Sequence, residues 1–468
     1  MKPKLYLILL LVWVLGACQK EFLDVKSSQN QKVPVTLSDY QAILDNSTGL
    51  SNPMNGQSSH VIGIIGGDEF FFSENQFDGL VDVGPLAYGR HGYVWEREVY
   101  MPVSGLNYEP YDFSVAYNRI LRCNIVLDGI EKIPMTEINE MEWKNVKGSA
   151  HFYRALDYYN LCQLYAQPLG LASPESLGMP LRTDPDPTVK INRATLQETY
   201  SLIRSDLEIA ESLLPLEGIN VFRPSQLAIY ALLARLFLQQ EDYEKTLNAV
   251  ESILKSKNQL MDYNEIQLSS NYAFPIYGIG NKEVFFSTAA HNPFVLSHNI
   301  LQVDSVLYRY YEDGDLRRDL FFKESTDGRV NFWGSYYGND MFFTGFALDE
   351  IYLIRAEALV RLRQPAQACE MLNTLLRTRF LNGAYDEFIS DNSNEILDKI
   401  LLERRKQLIF RGVRWEDLRR LNLHPETAKT LVRVLGDDRY ELLPNSKRYI
   451  WPFPPEAILV GGFEQNER

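Results

Sequence analysis

Two stretches of this chain, 122 residues apart, follow the same helical pattern, and this repetition constrains the fold more than any other feature. In the first stretch a helix covers residues 224–240, a break follows at 241–242, and a second helix ends near residue 255. The second stretch places Ala356-Glu357 where the first has Ala234-Arg235. Small alanine side chains let the two helices of each unit approach closely. The pattern therefore predicts helix–turn–helix units of about 34 residues.

These units resemble tetratricopeptide repeats, although they are not tandem and match the consensus loosely. Helical repeats supply a scaffold and a binding surface more often than catalysis. We expect this scaffold over about 111–256 and 347–421. The regions of about 50–112 and 257–346 are rich in Gly, Asn and aromatic residues, which predicts loops with short strands. Long irregular segments are usually functional, so the ligand-binding regions are expected there.

The amino terminus has the pattern of an export signal. Lys2 and Lys4 precede an apolar run from Leu5 to Leu15, which is too short to span a bilayer. The run leads into Leu15-Gly16-Ala17-Cys18, which is similar to a bacterial lipobox. Residues 1–17 are therefore predicted to be a lipoprotein signal peptide, Cys18 the lipidated residue, and 18–468 a single mature domain.

Three further cysteines have no metal-ligand spacing. Cys123, Cys162 and Cys369 each fall within a helical pattern, which favours buried free thiols. A disulfide between two of them stays open as an alternative.

Several functions are disfavoured by charge and motif content. The chain has 47 Lys and Arg against 61 Asp and Glu, a net charge of −14, whereas nucleic-acid binding needs a basic face. The six histidines form no His-x-His or HExxH arrangement, and neither a nucleophile elbow nor a P-loop occurs. We expect no nucleic-acid partner, no metal, no cofactor and no catalytic residue.

One motif match is rejected on its context. Residues 66–70, Gly-Gly-Asp-Glu-Phe, spell the signature of diguanylate cyclases. An exported chain meets no GTP, however, and the helical remainder lacks the α/β layout of a cyclase. We expect these residues to form a turn between two extended segments.

Two aromatic clusters in the irregular regions, at residues 90–95 and 332–340, are the candidate ligand-binding segments. Sugar rings stack their apolar C–H faces on aromatic rings, while Arg and Asn side chains bind the hydroxyl groups. Core packing beneath the loops is the alternative for any one of these rings. The candidate ligand-binding residues are Arg90, Tyr93, Trp95, Trp333, Tyr336, Tyr337 and Asn339.

Six segments together resemble motifs of the SusD/RagB family, the outer-membrane nutrient-binding lipoproteins of Bacteroidetes. The most specific is residues 404–420, which is similar to the family's "RR..L.F.G.RW.DL.R" pattern. The other five are Cys18 to Asp24, Ala116 to Leu127, Gly148 to Tyr165, Ile351 to Ala358 ("IYLIRAEA") and Tyr449 to Pro454.

The resemblance implies a non-enzymatic lipoprotein with helical-repeat pairs on one side and an irregular ligand-binding region on the other. It implies a SusC-like TonB-dependent transporter as partner, and an oligosaccharide, or in some members a peptide, as ligand. Lys20-Glu21 after the lipidated cysteine is similar to signals for the outer face of the outer membrane.

Three alternatives stay open: a peptide-binding member, a helical-repeat assembly protein without a nutrient ligand, and an exported hydrolase with two acids about 5–10 Å apart. The signature residues Glu403, Arg404, Arg405, Arg414 and Trp415 are expected to organise the fold through ion pairs. Arg355 and Glu357 are interpreted in the same way.

Overall fold

The computed structural model describes residues 33–45, 59–80, 87–100, 111–267, 272–290, 296–297 and 300–468. The predicted signal peptide 1–17 and Cys18 lie outside these ranges and stay predictions. Helices dominate the described residues, and the strands are only two to five residues long. The predicted fold class, mostly α with short strands in loop-rich regions, is confirmed.

The described helices range from four to 26 residues in length. In chain order they are α1 Leu37–Leu44, α2 Val61–Gly66, α3 Glu74–Asp78, α4 Ala87–Tyr93, α5 Tyr111–Ile130, α6 Glu140–Tyr165, α7 Leu196–Leu213, α8 Gln226–Gln239, α9 Tyr243–Leu254, α10 Ser305–Tyr308, α11 Arg317–Phe321, α12 Leu348–Arg361, α13 Pro365–Arg377, α14 Ser393–Gln407, α15 Arg414–Leu421 and α16 Pro455–Gly461.

The two predicted helix–turn–helix units are α8 with α9 and α12 with α13, and each pair packs together. Helix α9 also contacts α12, so the two units are neighbours although 93 residues separate these helices in the chain. Ala234 and Ala356 are fully buried, as close helix packing requires. The prediction of a repeated helical scaffold is confirmed.

Helix α6 is the centre of the amino-terminal half of this scaffold. It contacts α5 and α7, and nearly every side chain from Val146 onward is buried, as in a helix surrounded by others. Buried ion pairs join the three helices. Arg154 of α6 donates to the Asp206 carboxylate of α7 at 2.7 and 2.8 Å, and Arg119 of α5 binds Asp157 of α6. These contacts link α6 to α5 and to α7 within the core.

The strands form six antiparallel pairs within the described residues. Several pairs join distant parts of the chain; Phe70 of β1, for example, lies opposite Val303 of β6. The pair β7–β8 is a hairpin with Asp327-Gly328 in its turn, and Gly328 has a φ of +80° that the turn requires. The strands are β1 Phe70–Phe71, β2 Leu177–Pro180, β3 Arg193–Thr195, β4 Val284–Phe286, β5 Ala289–Ala290, β6 Gln302–Val303, β7 Phe322–Glu324, β8 Val330–Phe332, β9 Phe342–Phe343, β10 Phe346–Ala347, β11 Leu431–Leu435 and β12 Asp438–Leu442.

A chain of buried aromatic rings connects the two irregular regions through Phe410. The Phe410 ring stacks on Phe342 at 4.9 Å and lies 5.0 Å from Phe332 and 6.5 Å from Phe70, measured between centroids. Phe410 itself has a φ of 55°, a conformation that this packing holds in place. The irregular regions therefore share one aromatic core with the scaffold.

Cys123, Cys162 and Cys369 are free and buried, which confirms the expected free thiols. Across the described ranges, no helix has the length and apolarity needed to cross a bilayer.

Candidate ligand-binding cleft

A cleft of about 390 Å³ opens between the turn that follows α2 and the outer hairpin β11–β12. On the turn side, residues 67–69 follow α2 and lead into β1. The expected turn is therefore present, but its first neighbour is a helix, not an extended segment. On the hairpin side, β11 alternates buried and exposed residues, so that Arg433 points inward while Val432 and Val434 face solvent.

Asp68 is the charge centre of the cleft and binds three cations. Arg414 donates to it through Nε and Nη2 at 2.6 and 3.0 Å, and Lys429 Nζ lies 2.6 Å away. Arg405 Nη2 lies 3.2 Å from the same carboxylate and donates to the backbone carbonyl of Asp68. Burial opposes ionisation of this carboxyl, but Arg414 and Arg405 hold the pKa of Asp68 well below its ordinary value.

Glu69, the next residue, has a pKa that is shifted in the opposite direction. Burial raises the pKa of Glu69 to about 8, and the neighbouring Asp68 adds to the shift. The Phe410 N–H, which donates to Oε1 at 2.8 Å, opposes it, as do Arg414 and Arg405. Its other oxygen, Oε2, has no hydrogen-bond partner among the described residues. Glu69 is therefore a neutral carboxylic acid at pH 7, beside an ionised Asp68.

Arg433 forms the inner wall of the cleft with two aromatic rings. Its guanidinium lies 3.4 Å from the Tyr93 ring centroid and 4.7 Å from that of Trp95. It also donates to the backbone carbonyls of Ile65 and Gly67. Burial lowers the pKa of Arg433 to about 10, which still leaves it charged at neutral pH. Cation–π contact accounts for a buried arginine without a carboxylate at hydrogen-bond distance.

Tyr93 and Trp95, two of the candidate ligand-binding rings, are buried behind Arg433. Trp95 is 0% exposed, and its indole N–H donates to the Gly66 carbonyl at 2.9 Å. The Tyr93 hydroxyl accepts from the Phe72 N–H at 2.9 Å. Arg90 of the same cluster stacks on Phe77 at 4.5 Å. The structure agrees with the core-packing alternative for these two rings, because cation–π and backbone contacts occupy them within the core.

The second predicted cluster is also largely internal. Tyr336 and Tyr337 are 2% and 0% exposed. The Tyr336 hydroxyl joins a buried network, donating to Glu283 at 3.0 Å and lying 2.6 Å from the Tyr263 hydroxyl. Asn339 holds a turn, because its Oδ1 accepts from the Met341 N–H at 2.9 Å. The structure therefore agrees with the core-packing alternative for both tyrosine rings as well.

Trp333 is the one predicted ring that is only half-buried. Lys323 Nζ lies 4.3 Å from its ring centroid, and Tyr272 packs against it at 5.2 Å. The two predicted clusters thus form no common platform of exposed rings. Ligand contact by any of the seven predicted residues stays a prediction, with Trp333 the most accessible of the aromatic candidates.

Sequence reasoning missed most of the residues that border the cleft. The reachable ring is Phe71 of β1, which is half-buried, and the charged border includes Asp304, Arg405 and Lys429. These residues come from four separate segments, so no local motif announces them. The local signals were Asp68, within the motif that was correctly interpreted as a turn, and the candidate residues Tyr93 and Trp95, which line the cleft.

The family-signature residues have the structural role expected of them. Arg404 Nε donates to Asp417 at 2.7 Å, and Glu403 accepts from Arg317 at 2.7 Å. Trp415 stacks on Trp451 with ring centroids 5.0 Å apart. The same holds for Glu357, which binds Arg420 through both carboxylate oxygens at 2.6 and 2.8 Å. The Arg317–Glu403 pair joins an irregular region to the scaffold, whereas the other two ion pairs lie within the scaffold.

The helical repeats of this protein support a cleft that is formed by a turn and a hairpin. Helical-repeat scaffolds commonly carry a binding surface of this kind. Residues 21–238 match a family described as starch-binding and associating with the outer membrane, and residues 325–458 match the SusD family. The chain belongs to the SusD/RagB family, whose members are outer-membrane-associated binding proteins.

Two relatives from Formosa agariphila show the same similarity in sequence. The SusD-like proteins P38 and P2 are 25% and 23% identical to this chain over 408 and 378 residues. These alignments cover 72% and 67% of this chain, and 75% and 72% of the two relatives.

Solved structures share the fold. A SusD superfamily protein from Bacteroides thetaiotaomicron aligns with a TM-score of 0.71 at 21% identity, covering 93% of this chain and 100% of that chain. A laminarin-binding SusD-like protein aligns with a TM-score of 0.62 at 18% identity, covering 91% of this chain and 97% of that chain. The predicted SusD-like fold is confirmed.

Proposed function

We propose that this protein is a non-enzymatic surface lipoprotein that captures an oligomeric glycan. In this proposal Cys18 carries the lipid anchor on the outer face of the outer membrane. The captured glycan passes to a SusC-like TonB-dependent transporter, over which the protein acts as a lid.

The cleft beside Asp68 is the observation that carries the proposal. A reachable aromatic ring, Phe71, borders the same space as the side chains of Lys429 and Asp304. An aromatic face beside hydrogen-bonding groups suits a sugar ring, whose C–H face is apolar and whose hydroxyl groups are polar. Trp333 offers a second accessible ring in the other irregular region.

The relatives support the glycan class. One of the matching families is described as starch-binding, and one structural neighbour is a laminarin-binding protein. Laminarin and starch are therefore suitable first probes. The glycans themselves are neutral, so they test capture without relying on the charges of the cleft.

An affinity-gel screen of a form lacking residues 1–18 tests the capture role. Single-site affinities for glycans are expected to be weak, about −4 to −8 kcal/mol, so a multivalent polymer in the gel is needed. Retardation by one polysaccharide family supports the proposal. No retardation by plant, host or microbial glycans contradicts it, and binding to a peptide library instead would favour the peptide-binding alternative.

The anchor and the partner need separate experiments. Metabolic labelling with a radioactive fatty acid should label the wild-type chain and not Cys18→Ala. Affinity purification of the tagged chain from outer membranes should recover a TonB-dependent barrel protein. Unaltered labelling of the Cys18 variant, or recovery without a barrel protein, contradicts the respective part of the proposal.

A further inference from the structure

The cleft beside Asp68 has a charge opposite to that of the whole chain. Arg405, Lys429 and Arg433 line it, and Arg414 also binds Asp68. The chain as a whole has a net charge of −14. A local excess of cations in so acidic a protein needs a reason in the function or in the folding of this site.

The carboxylates of the cleft do not balance these cations. Asp68 is shared by Arg405, Arg414 and Lys429, and Asp304 lies 3.4 Å from Arg405. Glu69 adds no negative charge at pH 7, because burial raises its pKa to about 8. Three cations and two carboxylates therefore line the cleft, and Arg414, which binds Asp68 without lining the cleft, adds a fourth cation. The cleft keeps a positive charge.

The cations differ in how far solvent reaches them. The side chains of Arg405 and Arg414 are only 10% and 13% exposed. Lys429 stands at the border of the cleft with a side chain 44% exposed. Burial lowers the pKa of Lys429. Asp68 opposes this shift, whereas Arg405 and Arg414 add to it.

An apolar rim surrounds this charged interior. Val306, Val432 and Val434 are 45%, 42% and 61% exposed, and all three border the cleft with the half-buried ring of Phe71. A ligand that fits must therefore present apolar faces to the rim and negative charge to Lys429 and Arg405. A saccharide with acidic substituents has both properties, since its ring faces are apolar and its substituents are anionic.

We propose that this cleft binds an acidic glycan, through carboxylate or sulfate groups placed beside Lys429 and Arg405 and sugar rings packed on Phe71 and the valine rim. The inference rests on the proposed glycan-capture function and specifies its ligand class. Arginine and lysine recognise both kinds of anion, so the structure assigns the shared chemistry, and experiment separates the two sources.

Matched pairs of glycans test the charge requirement with the full chain in detergent micelles. One pair is oligogalacturonate and the same oligomer with its carboxylates reduced to alcohols; the other is a carrageenan oligosaccharide and its desulfated form. We expect at least one acidic member to bind tenfold or more tighter than its neutral counterpart, with affinity falling as salt rises. The pair that shows the difference identifies carboxylate or sulfate as the recognised group.

Two variants place the binding in this cleft. Lys429→Ala should weaken binding of the acidic glycan about fivefold to tenfold, whereas Lys245→Ala should not change it. Lys245 is a matched control, because it lies 2.6 Å from Asp242 as Lys429 does from Asp68, but on helix α9 of the scaffold. Val434→Glu at the exposed rim should weaken the acidic glycan more than Val434→Gln does.

The possible outcomes distinguish the acidic-ligand inference from the proposed glycan-capture function. Equal or tighter binding of the neutral members overturns the acidic-ligand inference and leaves glycan capture intact. Binding of the acidic glycan that is unchanged in both Lys429→Ala and Val434→Glu overturns the assignment to this cleft. Absence of binding to any glycan, neutral or acidic, overturns glycan capture itself, and polyglutamate binding as tightly as the acidic glycan overturns the saccharide class.

Discussion

Arg414 and Asp68, 346 positions apart in the chain, form a two-point ion pair at distances of 2.6 and 3.0 Å. Arg414 begins the signature helix α15, and Asp68 lies in the turn that borders the cleft. Arg414 of the family signature therefore holds the turn that forms one side of the candidate cleft.

Removing the charge of Asp68 should destabilise the fold. The Asp68→Asn variant leaves Arg405, Arg414 and Lys429 around a neutral amide, and breaking a buried ion pair from one side costs about 3–5 kcal/mol. Urea unfolding of both chains measures the change. Asp242→Asn is the control, since Asn still caps helix α9 and the lost pair with Lys245 is exposed, worth less than ~1 kcal/mol. Equal losses in both variants would contradict the assigned role of Asp68.

Glu69→Gln should stabilise the protein, and the gain should grow with pH. The pKa of Glu69 is raised from 4.5 to about 8, so the folded state stays protonated where the unfolded state ionises. Stability that is present below pH 4.5 is therefore lost as pH rises toward 8, by up to ~1.4 kcal/mol per pH unit. A neutral glutamine avoids this loss. Unfolding free energies at several pH values between 4.5 and 8 should diverge for the two chains.

Glu403→Gln is the control, because its effect on the free energy of unfolding should be opposite in sign to that of Glu69→Gln. Burial opposes ionisation of Glu403, but Arg317, Lys406 and Lys399 lower its pKa to about 2. Its stabilisation is therefore present above pH 4.5 and is lost as pH falls toward 2. Glu403→Gln should destabilise the protein at pH 7, where Glu69→Gln stabilises it. Parallel pH profiles for the two variants would contradict both assignments.

Trp95→Ala should lower the stability of the protein, whereas Trp333→Ala should weaken its binding of glycan. Trp95 is fully buried and donates to Gly66, so its loss should cost about 3–5 kcal/mol of unfolding free energy. Trp333 is half-buried, and Trp333→Ala should instead weaken glycan binding threefold to tenfold, or about 0.5–1.5 kcal/mol. Calorimetric binding and thermal unfolding of each variant measure the two effects.

Trp143→Ala is the matched control for Trp333. It is a half-buried tryptophan with Lys147 at 4.7 Å over its ring, as Trp333 has Lys323 at 4.3 Å, but it lies on scaffold helix α6. Glycan affinity should not change in this variant. A similar loss of affinity in Trp143→Ala and Trp333→Ala would remove Trp333 from the site.

Two neighbouring glycines should differ sharply in their tolerance of alanine. A Cβ at Gly66 would lie 2.5 Å from a Trp451 ring carbon and 2.8 Å from one of Trp415, so overpacking should cost ~1–3 kcal/mol. At Gly67 the nearest atoms are 3.4 Å away, so Gly67→Ala should change stability by less than ~0.5 kcal/mol. Differential scanning calorimetry of both variants gives the comparison, and equal melting temperatures would show that the tryptophan stack yields to the extra methyl group.

The sequence by itself determined the helical scaffold and the family. Helical spacing of apolar residues is a local property, so the units α8–α9 and α12–α13 could be predicted within a few residues. The ion pairs of residues 404–420 could be anticipated as structural because charges on a helix near a core need partners.

The tertiary structure alone decided which residues border the cleft. Tyr93, Trp95, Tyr336 and Tyr337 lie in aromatic segments with glycine, as exposed rings would, yet all four are buried. Whether a ring faces solvent depends on what packs against it, and Arg433, which covers Tyr93, lies 340 residues away in the chain. The cleft could not be predicted from the sequence for the same reason. Its turn, its hairpin and its cations meet only when distant segments fold onto one aromatic core.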